Sequence, residues 1–170
     1  MTFVKFAALS VAIGTVFAAA APANAIDRVT ISQPTNYCQT ALPVFDGNVR
    51  KRPVSVQNEG TSNAFVTCSW GIEVIDGTDS TGISAVEVYF HSTNAGSVTC
   101  TGVAGWNGIQ VQSVKTLTLT GGGQTVAPMR WTAADFPDGE LGTGLFSASC
   151  NLQSGQGIDD SYVVYDDGEI

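Results

Sequence analysis

The sequence predicts an all-β protein, an antiparallel β-sandwich of eight to nine strands of the immunoglobulin-like or jelly-roll kind, and three observations carry that expectation. Short runs rich in Val, Ile, Thr, Phe and Tyr recur between residues 28 and 165, several alternating apolar and polar with the period of two of a half-buried strand. Gly, Asn, Asp and Pro clusters punctuate these runs. Past the first 25 residues no window sustains a 3.6-residue apolar period, which leaves packed sheets as the way to bury a core.

Residues 1–25 read as a secretory signal peptide. Lys5 supplies the positive start, Phe6 to Ala21 the apolar run, and Ala23-Asn24-Ala25 the small-x-small cleavage pattern. That run is shorter than the ~20 residues a membrane-spanning helix needs, and no later run approaches it. Residues 26–170 are then expected to form one sandwich domain, secreted or periplasmic.

Arg28 to Ser32 is a β-branched run suited to an edge strand, and Gln33-Pro34-Thr35-Asn36 ends it. A loop is expected from Cys38 through Leu42-Pro43 and Asp46-Gly47 to Pro53, and a strand over Val54 to Gln57. Ala64 to Val74 alternates so that Val66, Cys68, Trp70 and Ile72 share the inward face. Ile83 to Thr101 has the pattern of a hairpin within one sheet, with Val86, Val88, Phe90 and Cys100 inward and Glu87, Tyr89 and His91 outward. Gly102 to Gly108 is a small-residue loop around Trp106, and Ile109 to Leu119 is a strand whose parity slips near Ser113-Val114, the mark of a bulge or a change of sheet. Thr125 to Trp131, Leu145 to Leu152 and Ser161 to Tyr165 complete the set.

The chain carries 15 acidic and 7 basic side chains, a formal net charge of -8. An acidic balance of this size opposes nucleic-acid binding, which calls for a basic stripe, and suits a soluble exported chain. All four cysteines, Cys38, Cys68, Cys100 and Cys150, lie beyond the signal peptide, and an even count in an exported chain reads as two disulfides with three possible connectivities. Cys38 with Cys68 and Cys100 with Cys150 is the favoured pairing. Their spacing is too wide for a zinc site.

Cys38, Asn58-Glu59-Gly60, Ala64-Phe65-Val66-Thr67-Cys68-Ser69, Val88-Tyr89-Phe90, Ser149-Cys150-Asn151-Leu152 and Gly157-Ile158 give the chain a pattern that resembles small secreted disulfide-containing proteins of Gram-negative bacteria. The resemblance implies export and paired cysteines. It carries over no functional residue.

Candidate chemistry is sparse. Glu87, Tyr89 and His91 form a row able to bind a sugar or move a proton, but a polar row is also the ordinary outer face of an antiparallel sheet. His91→Ala is therefore expected to leave stability and binding nearly unchanged. No Gly-x-Ser-x-Gly elbow is present, and Glu73 with Glu87 is the only carboxylate pair suggested for glycoside hydrolysis. Asp76 and Asp79 sit in a turn that offers oxygen ligands for a weak calcium site, although Thr81 stands where a calcium loop requires Gly. Asp159-Asp160 and the acids after Tyr165 read as turn and edge-strand acids. Arg50, Lys51 and Arg52 form a basic loop cluster, and Trp106 with Tyr89 offers aromatic surface, so these five residues are the candidate binding set, with Trp106 and Arg50 to Arg52 expected in loops at one end of the sandwich and Tyr89 on the polar face of its strand. The reading is a non-enzymatic binding or structural protein of the cell exterior, without cofactor, whose partner is a cell-surface glycan or another secreted protein. Alternatives are a carboxylate-dependent hydrolase of wall or matrix polysaccharide and a pilus-type subunit.

Overall fold

The structure is a computed structural model and describes residues 27–72, 82–106, 108–123, 128–137, 139, 141 and 144–166. In chain order the strands are β1 (Asp27–Ser32), β2 (Cys38–Thr40), β3 (Val49–Arg52), β4 (Ser55–Asn58), β5 (Ala64–Gly71), β6 (Ile83–Ser92), β7 (Gly96–Trp106), β8 (Ile109–Leu119), β9 (Met129–Thr132), β10 (Leu145–Leu152) and β11 (Gln156–Asp166). They form two antiparallel sheets: β3-β4-β11-β6-β9 with β1 also on β11, and β2-β5-β10-β7-β8. This is the all-β sandwich the alternation predicts. The described residues hold eleven strands against the expected eight to nine, because β2 and β3 occupy a stretch expected as loop. Both are short and lack apolar alternation, so cross-strand pairing with β5 and β4 makes them strands.

The core lies between the sheets. Val86, Val88 and Phe90 of β6 and Val56 of β4 face Val66, Val98, Phe146 and Leu152 from the other sheet, all essentially without solvent exposure. Each such side chain contributes about 1.5–3 kcal/mol. Phe146 gathers the aromatic centre, with ring centroids 5.5 Å from Trp131 and 5.9 Å from Trp70. Gly102 makes room for it, since a Cβ there would fall 2.7 Å from Trp131 Nε1 and 2.9 Å from Phe146 Cζ. The indole N–H of Trp70 on β5 donates to Ser161 Oγ on β11 at 2.7 Å, a buried polar tie between the sheets. Buried Asn58 does similar work at one end, its Nδ2 donating to the carbonyls of Ser62 and Leu152.

Both expected disulfides form, Cys38–Cys68 and Cys100–Cys150. Each joins directly opposed residues of neighbouring strands, β2 with β5 and β7 with β10. Both therefore brace the five-stranded sheet, and neither bridges the sandwich.

Three local expectations are corrected. Ile83 to Thr101 is not a hairpin within one sheet: β6 lies in the six-stranded sheet and β7 in the five-stranded one. Inward-facing Val88 and Cys100 satisfy an arch across the core as well as a hairpin, so the alternation could not distinguish them. Gly102 to Trp106 is strand, not loop, paired through to Ile109. β8 runs beside β7 without a register break from Leu119 to Ile109. Its parity slip comes from polar side chains at inward positions on an open edge, where Lys115 reaches Asp135 at 2.7 Å. Among the described residues no helix is long and apolar enough to cross a membrane.

Candidate functional site

The outer face of the six-stranded sheet collects the chemistry. Ile158 pairs with Phe90 and Ser161 with Val88, so two residues of β11, Asp159 and Asp160, stand opposite the single residue Tyr89 of β6. This is a β-bulge, and it delivers two adjacent carboxylates beside the Glu87, Tyr89 and His91 row.

His91 is not solvent-facing as the alternation suggests; it is 9% exposed. Its Nδ1 lies 2.5 Å from Asp159 Oδ1, and with the carboxylate ionised the Nδ1–H is the donor. The ring lies over Gly157, its cross-strand partner, where a Cβ would come within 2.3 Å of Cε1. A row on the outer face is solvated only if its neighbours leave it open, and here an acid and a glycine cover it.

The other members of the row are tied locally. Tyr89 donates to Glu87 at 3.2 Å, Glu87 pairs with Arg130 at 3.3 Å, and the rings of Tyr89 and Tyr162 meet edge to face with centroids 5.3 Å apart. Burial first, then the charge of Glu87, pushes the Tyr89 phenol above its ordinary value. Burial first, then the charge of Asp159, raises the Asp160 carboxyl, while a hydrogen bond from Tyr162 opposes the rise.

Beside these groups opens a cleft of about 490 Å³ lined by Ile31, Gln33, Val54, His91, Gly123, Asp159 and Asp160. That volume is in the range of small-ligand sites. Ile31 and Val54 are exposed apolar walls, at 63% and 64%. The loop after β8 closes one side, held by the Gly123 N–H donating to the Ser92 carbonyl at 2.8 Å.

Of the contact set read from the sequence, only part shares this face. Tyr89 adjoins it, and Arg50 lies in its cross-strand row, Arg50, Gln57, Gly157, His91, about 14 Å from His91 at ordinary strand spacing. Arg50, Lys51 and Arg52 occupy a strand rather than a loop. Arg52 is paired with Glu59, and Lys51 reaches the Thr35 carbonyl at 3.5 Å. Trp106 closes the 11-residue β7 in the other sheet, at the end away from where β6 hands over to β7, so it and the basic residues do not meet at one end. Asp76, Asp79 and Glu73 lie outside the described residues. Among the described residues no group of three or more His, Cys, Asp or Glu is placed to hold a metal ion.

Sequence reasoning missed Asp159 and Asp160 as site residues. One signal was present: Ile158 and Val163 are both inward yet of opposite parity, which requires a bulge between them.

No family model matches the chain, and no curated protein matches it. Among solved structures, it is similar to TmCBM61 in complex with β-1,4-galactotriose, at 15% identity over 79% of this chain and 86% of that one, with a TM-score of 0.45. It is also similar to the Podospora anserina GH26-CBM35 β-(1,4)-mannanase, at 10% identity over 79% of this chain and 27% of that one, TM-score 0.47. A third similarity is to the carbohydrate binding module CBM6cm-2 of Cellvibrio mixtus lichenase 5A in complex with cellotriose, at 11% identity over 82% and 98% of the two chains, TM-score 0.45.

Proposed function

We propose that this chain is an exported, non-enzymatic glycan-binding protein, and that the cleft between His91, Asp159, Asp160, Ile31 and Val54 holds the sugar. The observation that carries the reading is the combination in one cleft of two carboxylates, a positioned imidazole and two exposed apolar walls. Carboxylate oxygens accept hydrogen bonds from neighbouring hydroxyls, and Ile31 and Val54 offer surface to the C–H face of a pyranose. The bulge and the Gly157 contact hold the polar groups in place before ligand arrives, which lowers the cost of binding.

A His–Asp pair is also part of an acyl-transfer site, but no Ser, Thr or Cys stands among the described lining residues to act as nucleophile. The carboxylate-pair hydrolase loses support as well, because Glu87 is engaged by Arg130 and Tyr89. Export rests on the signal-peptide pattern and accords with two disulfides.

Calorimetric titration with a panel of neutral, N-acetylated and uronic-acid oligosaccharides tests the reading. One class should bind wild type in the micromolar to millimolar range without turnover, and Asp159→Asn should weaken it about tenfold. No binding across the panel, or affinity unchanged in Asp159→Asn, overturns it.

A further inference from the structure

We infer a second carbohydrate surface, distinct in place and chemistry from the cleft: the whole outer face of the five-stranded sheet, fitted to an extended, uncharged polysaccharide. The inward phase of β5, β10, β7 and β8 is marked by Cys68, Cys150, Cys100 and Leu119, so the opposite phase of each strand faces out. No outward position on β2, β5, β7, β8 or β10 is Asp, Glu, Lys, Arg or His. In a chain of net charge -8 that is a pronounced segregation, since the opposite sheet carries Arg50, Glu87, Arg130, Asp159 and Asp160. An ordinary solvated face would mix charges of both signs.

The face is mostly hydroxyls and amides in cross-strand rows, with Phe65, Val114 and Leu145 as exposed apolar members. One row runs Gln39, Thr67, Ser149, Thr101, Val114 across all five strands. Several hydroxyls already pair with one another, Ser69 with Ser147 at 3.0 Å and Thr99 with Thr116 at 2.9 Å. A hydroxyl has one donor and two acceptor sites, so each pair keeps one O–H and most of its lone pairs for a ligand while its rotamers are already restrained.

Three features make this a platform for a polymer. None of its strand pairings has a register break, unlike β11 on β6, and both disulfides lie within this sheet and stiffen it. Along each strand the outward residues repeat every ~6.7 Å, and between strands every ~4.8 Å, a regular lattice of donors and acceptors. At one end a second cleft of about 480 Å³ opens among Ser69, Gly71, Val103, Gln110, Leu145 and Ser147, giving apolar and amide contacts to a chain laid over the face. Absence of charge favours a neutral polymer over an anionic wall polymer or a basic protein partner.

The test is depletion of the disulfide-intact protein by suspensions of swollen cellulose, insoluble β-1,3-glucan and mannan, with Thr101→Glu and Thr116→Glu as face variants and Ser84→Glu, which puts the same charge at an exposed position of β6 in the opposite sheet, as the control. At least one of these neutral polymers should retain wild type, with uptake nearly constant from about 0.05 M to 1 M NaCl. Both face variants should lose about tenfold, because each buries a charge against an uncharged ligand, while Ser84→Glu keeps its uptake. Unchanged melting temperatures would show that the face variants still fold. Uptake kept in the face variants, or lost equally in Ser84→Glu, overturns this inference and leaves intact the cleft reading, which the oligosaccharide titration of Asp159→Asn tests separately. Retention by none of the polymers also overturns it, as does a dimer of wild type that Thr101→Glu dissociates, since the face then serves a second copy of the chain.

Discussion

His91 and Gly157 are cross-strand partners in which one side chain occupies the space that the other lacks: the imidazole lies where a Cβ of residue 157 would stand. With Asp159 2.5 Å from Nδ1, the ring is held from beneath and from the side. His91→Ala should therefore lower stability by about 1.5–3 kcal/mol, the range for a hydrogen bond to a charged group, in contrast to the neutral outcome expected for an outward histidine. Gly157→Ala should be destabilising in wild type but near neutral in the His91→Ala background. Urea denaturation of the four proteins checks both, and additive losses would show that the ring and the glycine are not coupled.

Asp160 supplies a pH signature. Its folded-state pKa is raised, by burial and then by Asp159, so its contribution to stability is full below the unfolded carboxyl value and is lost as pH rises through the folded one. Asp160→Asn still accepts from Tyr162 and removes that loss. Thermal melts should show the variant more stable at pH 7 by roughly 1–3 °C and equal to wild type near pH 3.

Asp135 runs the other way. Burial alone would raise its carboxyl, but hydrogen bonds from Lys115, from the Thr132 backbone N–H and from the Thr132 hydroxyl, with the charge of Lys115, hold it below its ordinary value. That stability is present above the unfolded carboxyl value and lost as pH falls through the folded one. Asp135→Asn should cost about 1 kcal/mol at pH 7, and the difference should vanish toward pH 2 in a series of denaturant curves.

The disulfides close stretches separated by 30 and 50 residues. Replacing Cys38 and Cys68 together by Ala should cost about 3.6 kcal/mol, and replacing Cys100 and Cys150 about 0.5 kcal/mol more, on the chain-entropy account. Equilibrium unfolding of the two double variants measures the order, and a reversed order would place the dominant effect in native packing instead.

Much of the fold was legible because alternation is a local signal: Val66, Cys68 and Trp70, or Val86, Val88 and Phe90, declare their inward face within a few residues. β2 and β3 were not, because pairing with distant strands, not composition, makes them strands. Whether β6 and β7 share a sheet was likewise hidden, since in-phase apolar residues suit both arrangements. At the candidate site, Tyr89 and His91 were visible as residues, but the environment of His91 depends on Gly157 and Asp159, 66 and 68 positions along the chain. Separations of that kind leave no mark in a window of neighbours. The uncharged outer face was equally diffuse, being spread over five strands with no motif to announce it.

The seating of β1 on β11 also has a bearing on how the molecule comes to be folded. Ser161 Oγ donates to the Ser32 carbonyl 129 positions away in the chain, and among the described residues β1 pairs with β11 alone. β4 and β6 likewise pair with β11, so three of the strands in that sheet wait for one segment near residue 160. Closure over such lengths is entropically slow, and until it occurs those strand edges are bare. β5 and β7 wait in the same way for β10, so both sheets stay open until the last quarter of the chain docks, and that interval is when holding factors and proteases compete for the molecule.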